Sequence, residues 1–317
     1  MINTSAGDIP WFDGHCDTVS RCAHLGWKLR ENPGHLDLAR LGRYKKAAQV
    51  FAIFADSARV PGGDMMGECR RQREVFIRQL EENRDAALFC PGGRGIEAAH
   101  GEGKIAALLS IEGGELLDCD PDNLALAAFW GVRLVNITWN HANALSGSNI
   151  DDADRGLTDR GRAFVQQAEA LGILMDVSHL SDRGFWDLAE MTAQPLVATH
   201  SNARAVCAHP RNVTDDMFRA IRDSGGTAGL NMYKAFIGPE PTLEQLIRHV
   251  EHCMELDGAK TLALGGDWDG CELGCDFHGV EDMPRLWDAL AARGYPQNVL
   301  EDIFFNNLSR VLEQKQS

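Results

Sequence analysis

The chain has 317 residues, of which 44% are hydrophobic and 24% are charged, a composition that is ordinary for a globular protein and argues against disorder. Its 31 Lys and Arg residues and 46 Asp and Glu residues give a formal net charge of −15, so we expect no binding to nucleic acid or to an anionic membrane surface. No segment approaches the roughly 20 apolar residues of a membrane span.

The cysteines and the two ends of the sequence bear on where the protein works. Nine cysteines are scattered without CxxC spacing, which argues against a disulfide framework and is typical of a reducing cytoplasm. The opening residues, MINTSAGDIPWFDGHCD, have neither the basic nor the apolar region of a secretory signal, and the closing VLEQKQS carries no anchor signal. We therefore expect a cytoplasmic protein with no membrane partner.

A short apolar run followed by a helical pattern recurs along the chain. Most of these runs are nearly continuous in apolar residues, as is typical of strands that are buried on both faces. The predicted strands are residues 11–17, 49–55, 105–111, 132–138, 173–178, 195–200, 227–232 and 261–266. The predicted helices are residues 65–83, 158–172, 181–191, 213–223, 242–256, 281–293 and 296–314.

Eight strands that alternate with helices predict a closed (β/α)8 barrel, with residues 1–317 as a single domain. A doubly wound open sheet is the alternative. That fold more often carries a glycine-rich phosphate loop after its first strand, and the DGHCDT segment is not such a loop.

The first predicted strand ends in a pair of metal-ligating residue types. Because side chains along a strand alternate between its faces, His15 and Asp17 point to the same side, and Cys16 should face away from them. A histidine beside a carboxylate at a strand end makes a good metal pair. An HxD triplet alone is a weak signal, so its weight depends on the other strands.

Four further strands deliver a similar residue at the same end. Glu112 lies between an apolar strand and two glycines, where a buried carboxylate would cost several kcal/mol unless it were paired or bound to metal. His179, His200 and Asp267 each lie at or just after the end of another predicted strand. The carboxyl ends of the strands carry the active site in a (β/α)8 barrel, so these residues predict one site at that face.

The number and type of these metal-ligating residues predict how many metal ions the site holds and which metal it prefers. Three histidines and two or three carboxylates are enough for two divalent ions, with one carboxylate bridging them. Nitrogen and oxygen ligands in this ratio favour Zn²⁺, with Mn²⁺ or Co²⁺ as alternatives.

Five segments together carry a resemblance to a known family. WFDGHCD, SIEGG, MDVSHLS, ATHSNARAVCAHPRNVTDD and GGDWDG follow one another in the order found in the membrane dipeptidase (renal dipeptidase) family, peptidase family M19, of the amidohydrolase superfamily. The match runs from residue 11 to about residue 312. It implies a binuclear zinc barrel that hydrolyses dipeptides. By this resemblance His15 and Asp17 hold one zinc, His179 and His200 hold the other, and Glu112 bridges them.

The same resemblance implies roles for residues around the metals. Asp267 handles the proton of the water that bridges the metals, and Arg211 binds the terminal carboxylate of the substrate. The family has a substrate-binding histidine after strand 4, and this chain offers His141 as the natural match, with Trp139 as the alternative two residues earlier. His141 would then help to stabilise the oxyanion. A homodimer is expected only by this resemblance.

We therefore interpret the sequence as a zinc-dependent dipeptidase in which a metal-bridging hydroxide attacks the peptide carbonyl. The resemblance implies acceptance of a D-residue at the C-terminal position, so that L-Xaa-D-Xaa dipeptides are expected substrates. The alternative is another amidohydrolase reaction on the same barrel, such as lactone or amide hydrolysis or deamination. Many of those relatives bridge their metals with a modified lysine on strand 4, and the segment VRLVNIT here has none.

Overall fold

The computed structural model of the protein describes residues 4–313, and its framework is one sheet of parallel strands surrounded by helices. The strands are β1 Pro10–Cys16, β2 Lys46–Phe54, β3 Ala87–Phe89, β4 Ile105–Glu112, β5 Val132–Asn136, β6 Leu174–Asp176, β7 Val197–Ala198, β8 Thr227–Leu230 and β9 Leu262–Leu264. Neighbouring strands pair in the order β2-β1-β9-β8-β7-β6-β5-β4-β3, and an additional pairing of β2 with β4 closes the sheet.

The closed ring consists of β1, β2, β4, β5, β6, β7, β8 and β9, which confirms the predicted (β/α)8 barrel. The β2–β4 pairing excludes the open-sheet alternative. The short strand β3 was not predicted. It pairs with Ile105–Ala107 at the start of β4, whereas β5 pairs with Leu109–Glu112, so β3 extends the sheet without entering the ring.

Helices connect the strands around the outside of the ring. Their bounds are α1 Thr18–Leu25, α2 Leu38–Leu41, α3 Met65–Glu82, α4 Ile96–Gly101, α5 Leu124–Phe129, α6 Asp159–Ala170, α7 Asp182–Met191, α8 Asp215–Asp223, α9 Lys234–Ile237, α10 Leu243–Glu255, α11 Pro284–Ala292, α12 Gln297–Glu301 and α13 Asn307–Leu312. Among residues 4–313, no helix has the length and apolar character needed to cross a lipid bilayer.

The predicted helix starts are confirmed where a side chain caps the first turn. The side chains of Asp64, Thr158 and Ser181 each accept a hydrogen bond from the backbone N–H three residues later. The predicted helix 296–314 consists of α12, a π-helical turn over Asp302–Asn306, and α13. Residue 314 lies outside the described residues.

The interior of the barrel is filled by alternate residues of the strands. Phe12, Val50, Leu108 and Leu134 belong to one buried cluster inside the ring, and the C-terminal helix packs against the same cluster through Leu308. The intervening strand residues belong to a larger cluster with the surrounding helices. The apolar filling therefore leaves the carboxyl ends of the strands for polar side chains.

An irregularity in β1 sets the direction of its last residues. Asp13 pairs with Gln49 and Cys16 pairs with Phe51, so three steps along β1 match two steps along β2, as in a β-bulge. Without the extra residue, the alternation from Phe12 would turn Cys16 inward. With it, Cys16 packs in the outer cluster and His15 faces the mouth of the barrel.

Two glycines allow the strand ends to converge near that mouth. An ideal Cβ at Gly229 would lie 1.9 Å from the carbonyl oxygen of Thr199, and one at Gly265 would lie 1.7 Å from the same oxygen. No side chain fits at either distance. Glycine at these positions brings the segments that carry His200 and Asp267 close together.

His249 in α10 is a fully buried histidine whose two ring nitrogens have backbone partners. Ala203 N–H donates to Nδ1 at 3.2 Å, and Nε2 donates to the carbonyl oxygen of Ile237 at 3.0 Å. The ring is neutral in this arrangement, because Nδ1 accepts a hydrogen bond. Burial lowers the pKa of His249, and the nearby His252 acts in the same direction.

We expect His249 to reduce the stability of the protein as the pH falls below about 6.5. In that range the unfolded chain binds a proton at this residue and the folded chain does not, so stability is lost on acidification. His249→Gln should keep both hydrogen bonds without titrating. Urea unfolding at about pH 7.5 and about pH 5.5 should show a smaller loss of unfolding free energy for the variant than for the native chain. An equal loss in both proteins would contradict this assignment.

Candidate active site

A cavity of ≈ 1040 Å³ opens at the carboxyl ends of the strands. Its lining includes Asp17, Glu112, His179, Arg211 and Asp267, which the sequence analysis placed in one site. These residues are separated by up to 250 positions along the chain, and the barrel brings them together. The cavity is large enough for a small ligand.

Glu112 lies at the centre of this group, and its two carboxylate oxygens are directed toward different histidines. Its Oε2 is 3.5 Å from His15 Nε2, and His15 Nε2 is in turn 3.9 Å from Asp17 Oδ2. Its Oε1 is 2.8 Å from His179 Nε2 and 3.5 Å from His200 Nε2. One carboxylate therefore faces two separate pairs of ligand-type side chains.

The donor set fits divalent metal ions. Ligand atoms of His15, Glu112 and His200 all lie within 4.8 Å of one another, and so do those of His15, Asp17 and Asp267. His15 Nε2 and Asp17 Oδ1 are buried and have no hydrogen-bond partner among residues 4–313. Buried polar atoms without a partner are costly, and coordination to a cation would satisfy both.

The histidines around Glu112 favour the ionised form of its carboxyl group. Burial by itself would raise the pKa of Glu112, but His15 and His179 beside it more than offset that effect and hold the pKa below its usual value. Burial lowers the pKa of His179 to about 4, with Arg211 acting in the same direction. His179 is thus a neutral imidazole, the form that binds metal, whereas the Glu112 and Asp17 carboxylates raise the pKa of His15 despite its burial.

Hydrogen bonds behind two histidines fix which ring nitrogen faces Glu112. Asn140 Oδ1 lies 2.9 Å from His179 Nδ1. Thr199 Oγ1 donates to Asp176 and therefore accepts from His200 Nδ1 at 2.7 Å. Both Nε2 atoms then carry a lone pair toward Glu112, as a ligating histidine requires. Neither partner was predicted, although Asp176 lies within the quoted segment MDVSHLS and Asn140 lies between Trp139 and His141.

Asp13 is a second buried carboxylate that the sequence analysis did not single out. It accepts hydrogen bonds from His15 N–H at 3.0 Å, Gly266 N–H at 2.7 Å and Trp268 Nε1–H at 3.0 Å. Gln49 Nε2 donates a fourth at 3.0 Å. Asp13 thereby joins the end of β1 to the loop that follows β9. Its position two residues before His15, next to a glycine, was the available signal.

The loop after β9 brings Asp267 to the cavity in an uncommon backbone conformation. Asp267 has φ 57° and Asp269 has φ 67°, both in the left-handed region. An ideal Cβ at Gly270 would lie 2.0 Å from Asp17 Oδ2 and 2.3 Å from Asp267 Oδ1, so glycine there lets the two carboxylates approach. Burial raises the pKa of Asp267 to about 7; His15 opposes this rise, and the carboxylates of Asp17 and Glu112 add to it.

Arg211 is buried in the cavity wall without a carboxylate partner. Its NH1 lies 3.4 Å from Ser201 Oγ, and its guanidinium lies 5.3 Å from the ring centre of Phe236. Among the described residues, no carboxylate oxygen lies within 4.0 Å of it. Burial lowers the pKa of Arg211 to about 10. A buried and unpaired guanidinium is suited to binding an anionic group of a ligand.

The two residues offered for the substrate-binding position, Trp139 and His141, follow β5 and differ in where they lie. Trp139 and Asn140 line the cavity. The Trp139 ring centre is 4.8 Å from that of Phe54 and 6.3 Å from that of His179. The side chain of His141 is 50% exposed outside this lining, with Nε2 3.8 Å from Asp56 Oδ1. Trp139 therefore belongs to the cavity lining, and His141 lies beside it outside that lining.

Comparisons with known proteins agree with this site. The crystal structure of a metallopeptidase from Rhodobacter sphaeroides, solved with a phosphinate mimic of the dipeptide L-Ala-D-Ala, matches with a TM-score of 0.88 and 28% identity, over 96% of this chain and 99% of that one. The crystal structure of an M19 dipeptidase, dipeptidase AC, matches with a TM-score of 0.86 and 29% identity, over 96% and 98% of the two chains.

Comparisons of the sequence indicate the same family. An uncharacterized Klebsiella pneumoniae protein from the pqqA 5′ region is 36% identical over 256 residues, which cover 76% of this chain and 94% of that protein. An uncharacterized dipeptidase of Schizosaccharomyces pombe is 27% identical over 330 residues, which cover 96% and 80%. The family model described as membrane dipeptidase (peptidase family M19) matches residues 3–317. The chain therefore belongs to the membrane dipeptidase family, peptidase family M19, and is a metal-dependent dipeptidase.

Proposed function

We propose that this enzyme uses two zinc ions to hydrolyse free dipeptides, including those with a D-residue at the C-terminal position. The observation that carries the proposal is the placement of Glu112, whose two oxygens each face a separate pair of ligand-type side chains. The dipeptide mimic in the Rhodobacter sphaeroides structure has a D-residue in that position, which supports the stereochemical part of the proposal. The chain acts as one catalytic domain, because a single ring of strands supplies every residue of the site.

Each metal has its own ligands in this proposal. His15 and Asp17 would hold one ion, His179 and His200 would hold the other, and Glu112 would be shared between them. The absence of cysteine from these five residues favours Zn²⁺, Mn²⁺ or Co²⁺ over softer ions, and the histidine content favours Zn²⁺ among them. When bound, the two ions polarise the peptide carbonyl and lower the pKa of the attacking water.

The chain's own residues then position the substrate and move a proton. Arg211 binds the terminal carboxylate through charge-assisted hydrogen bonds. Asp267 lines the cavity close to Asp17, so its carboxylate can take a proton from the attacking water and pass it to the leaving amine. The indole of Trp139, which lines the cavity after β5, would pack against the substrate and exclude water.

A screen of a dipeptide library tests the proposal as a whole. The library should contain L,L and L,D pairs, and metal should be measured in the same sample. We expect hydrolysis of both stereochemical classes and close to two zinc equivalents per chain. Full activity with one equivalent under metal-replete conditions would overturn the binuclear arrangement, and hydrolysis of L,L pairs alone would overturn the stereochemical part.

Arg211 should make the enzyme selective for dipeptides over longer peptides. In a dipeptide one residue separates the scissile carbonyl from the terminal carboxylate. If the carbonyl binds beside Glu112 and the carboxylate binds at Arg211, a tripeptide would misplace one of the two groups. Arg211→Met should lower kcat/KM on free dipeptides by roughly 10- to 150-fold, since hydrogen bonds to charged groups contribute about 1.5–3 kcal/mol.

Dipeptides with an amidated C-terminus provide the control for Arg211. The native enzyme should lose a similar factor on these substrates, and Arg211→Met should lose little more, because a neutral amide does not use the guanidinium charge. Equal losses for Arg211→Met on free and amidated dipeptides would show that Arg211 is not the carboxylate anchor.

Trp139 and His141 are expected to differ in their effect on substrate binding. Trp139→Ala removes an indole from the cavity lining and should raise KM, whereas His141→Ala alters a side chain outside it. The steady-state constants of both variants on one dipeptide decide between the two residues. A larger loss of kcat/KM for His141→Ala would restore the histidine to the substrate-binding role.

A further inference from the structure

Four arginines line the cavity, and they divide into two kinds. Arg59 lies 3.3 Å from Asp56, and Arg71 lies 2.7 Å from Glu68, so each has a carboxylate partner. Within residues 4–313, neither Arg21 nor Arg211 has a carboxylate oxygen within 4.0 Å. In a chain with a net charge of −15, two unpaired guanidinium groups in one cavity indicate a ligand with two anionic groups.

Arg21 is held in position by its backbone and by one side-chain nitrogen. Its N–H bonds to the carbonyl of Asp17 at 3.2 Å, which places it one helical turn after that residue in α1. Its Nε donates to the carbonyl oxygen of Asp269 at 2.8 Å. No partner of NH1 or NH2 exists among the described residues, so the outer edge of the guanidinium is free for a carboxylate.

The ring of strands separates the two unpaired arginines. Arg211 follows β7 and Arg21 follows β1, three strands further around the ring. Tyr233 and Phe236 line the part of the cavity near Arg211, and their ring centres are 4.8 Å apart. If Arg211 binds the terminal carboxylate, the side chain of the C-terminal residue leaves from the adjacent carbon and stays beside these aromatic rings.

The N-terminal residue of a dipeptide lies on the other side of the scissile bond, away from Arg211. We propose that Arg21 binds an acidic side chain on that residue, so that the enzyme prefers dipeptides that begin with Glu or Asp. This inference rests on the proposed function, because it takes Arg211 as the anchor of the terminal carboxylate. The methylene groups of such a side chain pass the apolar Phe54 and Val60 in the same wall.

Matched neutral substrates test the preference. L-Glu-L-Ala and L-Gln-L-Ala have nearly the same shape and differ in charge. We expect kcat/KM of the native enzyme to be roughly 5- to 30-fold higher for L-Glu-L-Ala, the range for a charge-assisted contact weakened by solvent at an exposed arginine. Arg21→Gln should bring this ratio close to one, and Arg21→Glu should favour L-Lys-L-Ala over L-Gln-L-Ala.

Arg59→Gln is the matched control, because Arg59 lines the same cavity but is already paired with Asp56. Its ratio should stay close to the native ratio. The pair L-Ala-L-Glu and L-Ala-L-Gln controls for position and should show a smaller difference in the native enzyme, which does not depend on how any variant folds.

The possible results separate the role of Arg21 from the dipeptidase activity itself. Hydrolysis of L-Glu-L-Ala and L-Gln-L-Ala at equal rates by the native enzyme would overturn the role of Arg21 and leave the dipeptidase proposal intact. A ratio that persists in Arg21→Gln but collapses in Arg59→Gln would also overturn it. Failure to hydrolyse any dipeptide would overturn the proposed function and this inference together.

Discussion

Glu112→Gln is expected to remove both metal ions together and to abolish hydrolysis of dipeptides. The two oxygens of Glu112 face different histidine pairs, at 3.5 Å from His15 Nε2 and 2.8 Å from His179 Nε2. A glutamine in the same place offers one neutral oxygen and turns an N–H₂ group toward the other pair. Loss of an outer hydrogen-bond partner alone lowers metal affinity about 10- to 100-fold, so loss of a shared ligand should lower it further at both positions.

Metal analysis after dialysis is the direct measurement for this variant, with dipeptide turnover measured alongside. Glu115→Gln is the matched control, since Glu115 is a carboxylate three residues further on that accepts from Asn143 Nδ2 at 2.9 Å and faces no histidine pair. We expect the control to retain the native metal content. Loss of only one metal equivalent in Glu112→Gln would show that Glu112 serves one ion and that the bridging arrangement is wrong.

Asp267→Asn is expected to lower kcat by about 10²–10⁴-fold, the usual contribution of a general acid or base. Asparagine keeps the shape of the side chain but cannot carry the proton from the attacking water to the leaving amine. The His15, Asp17 and Glu112 cluster remains, so metal content should stay close to that of the native enzyme. KM should change much less than kcat, because the terminal carboxylate is bound at Arg211 and not at Asp267.

Asp269→Asn provides the comparison for Asp267. The carboxylate of Asp269 already accepts from Thr18 Oγ1 at 2.6 Å and from His35 N–H at 2.6 Å, so it positions the loop after β9. Asp269→Asn should disturb the geometry of this loop and raise KM. Its effect on kcat should be smaller than that of Asp267→Asn. A near-native kcat for Asp267→Asn with a large loss for Asp269→Asn would move the proton transfer from Asp267 to Asp269.

The local pattern of the sequence was sufficient for the barrel and for the metal cluster. Eight apolar runs of strand length, most of them followed by an amphipathic helix, predict repeated strand–helix units that close into a barrel. His15, Glu112 and His200 lie at the ends of such runs, so their position along the chain already indicated a common face. The short strand β3 was missed because it is followed by the turn Pro91–Gly93 and the six-residue helix α4, which is too short to show the amphipathic pattern that follows most of the predicted strands.

Other features depend on contacts between distant parts of the chain. The bulge in β1 begins at Asp13, and Asp13 accepts hydrogen bonds from the loop after β9, more than 250 residues away. Periodicity within a strand contains no information about such a partner. In the same way, the loop after β5 packs Trp139 against Phe54 and leaves His141 outside the cavity lining.

The sequence by itself determined the fold, the family and the identity of the ligand-type residues, because each follows from residue types at positions that a strand or helix period defines. The tertiary structure decided how those residues are used. It placed the two oxygens of Glu112 toward different histidine pairs, and it left Arg21 and Arg211 unpaired while Arg59 and Arg71 found carboxylates. Arg59 and Arg71 pair with carboxylates only three residues away along the chain. The lack of a carboxylate partner for Arg21 and Arg211 among residues 4–313 is visible only in the folded chain, because such a partner could come from any segment that the barrel brings close.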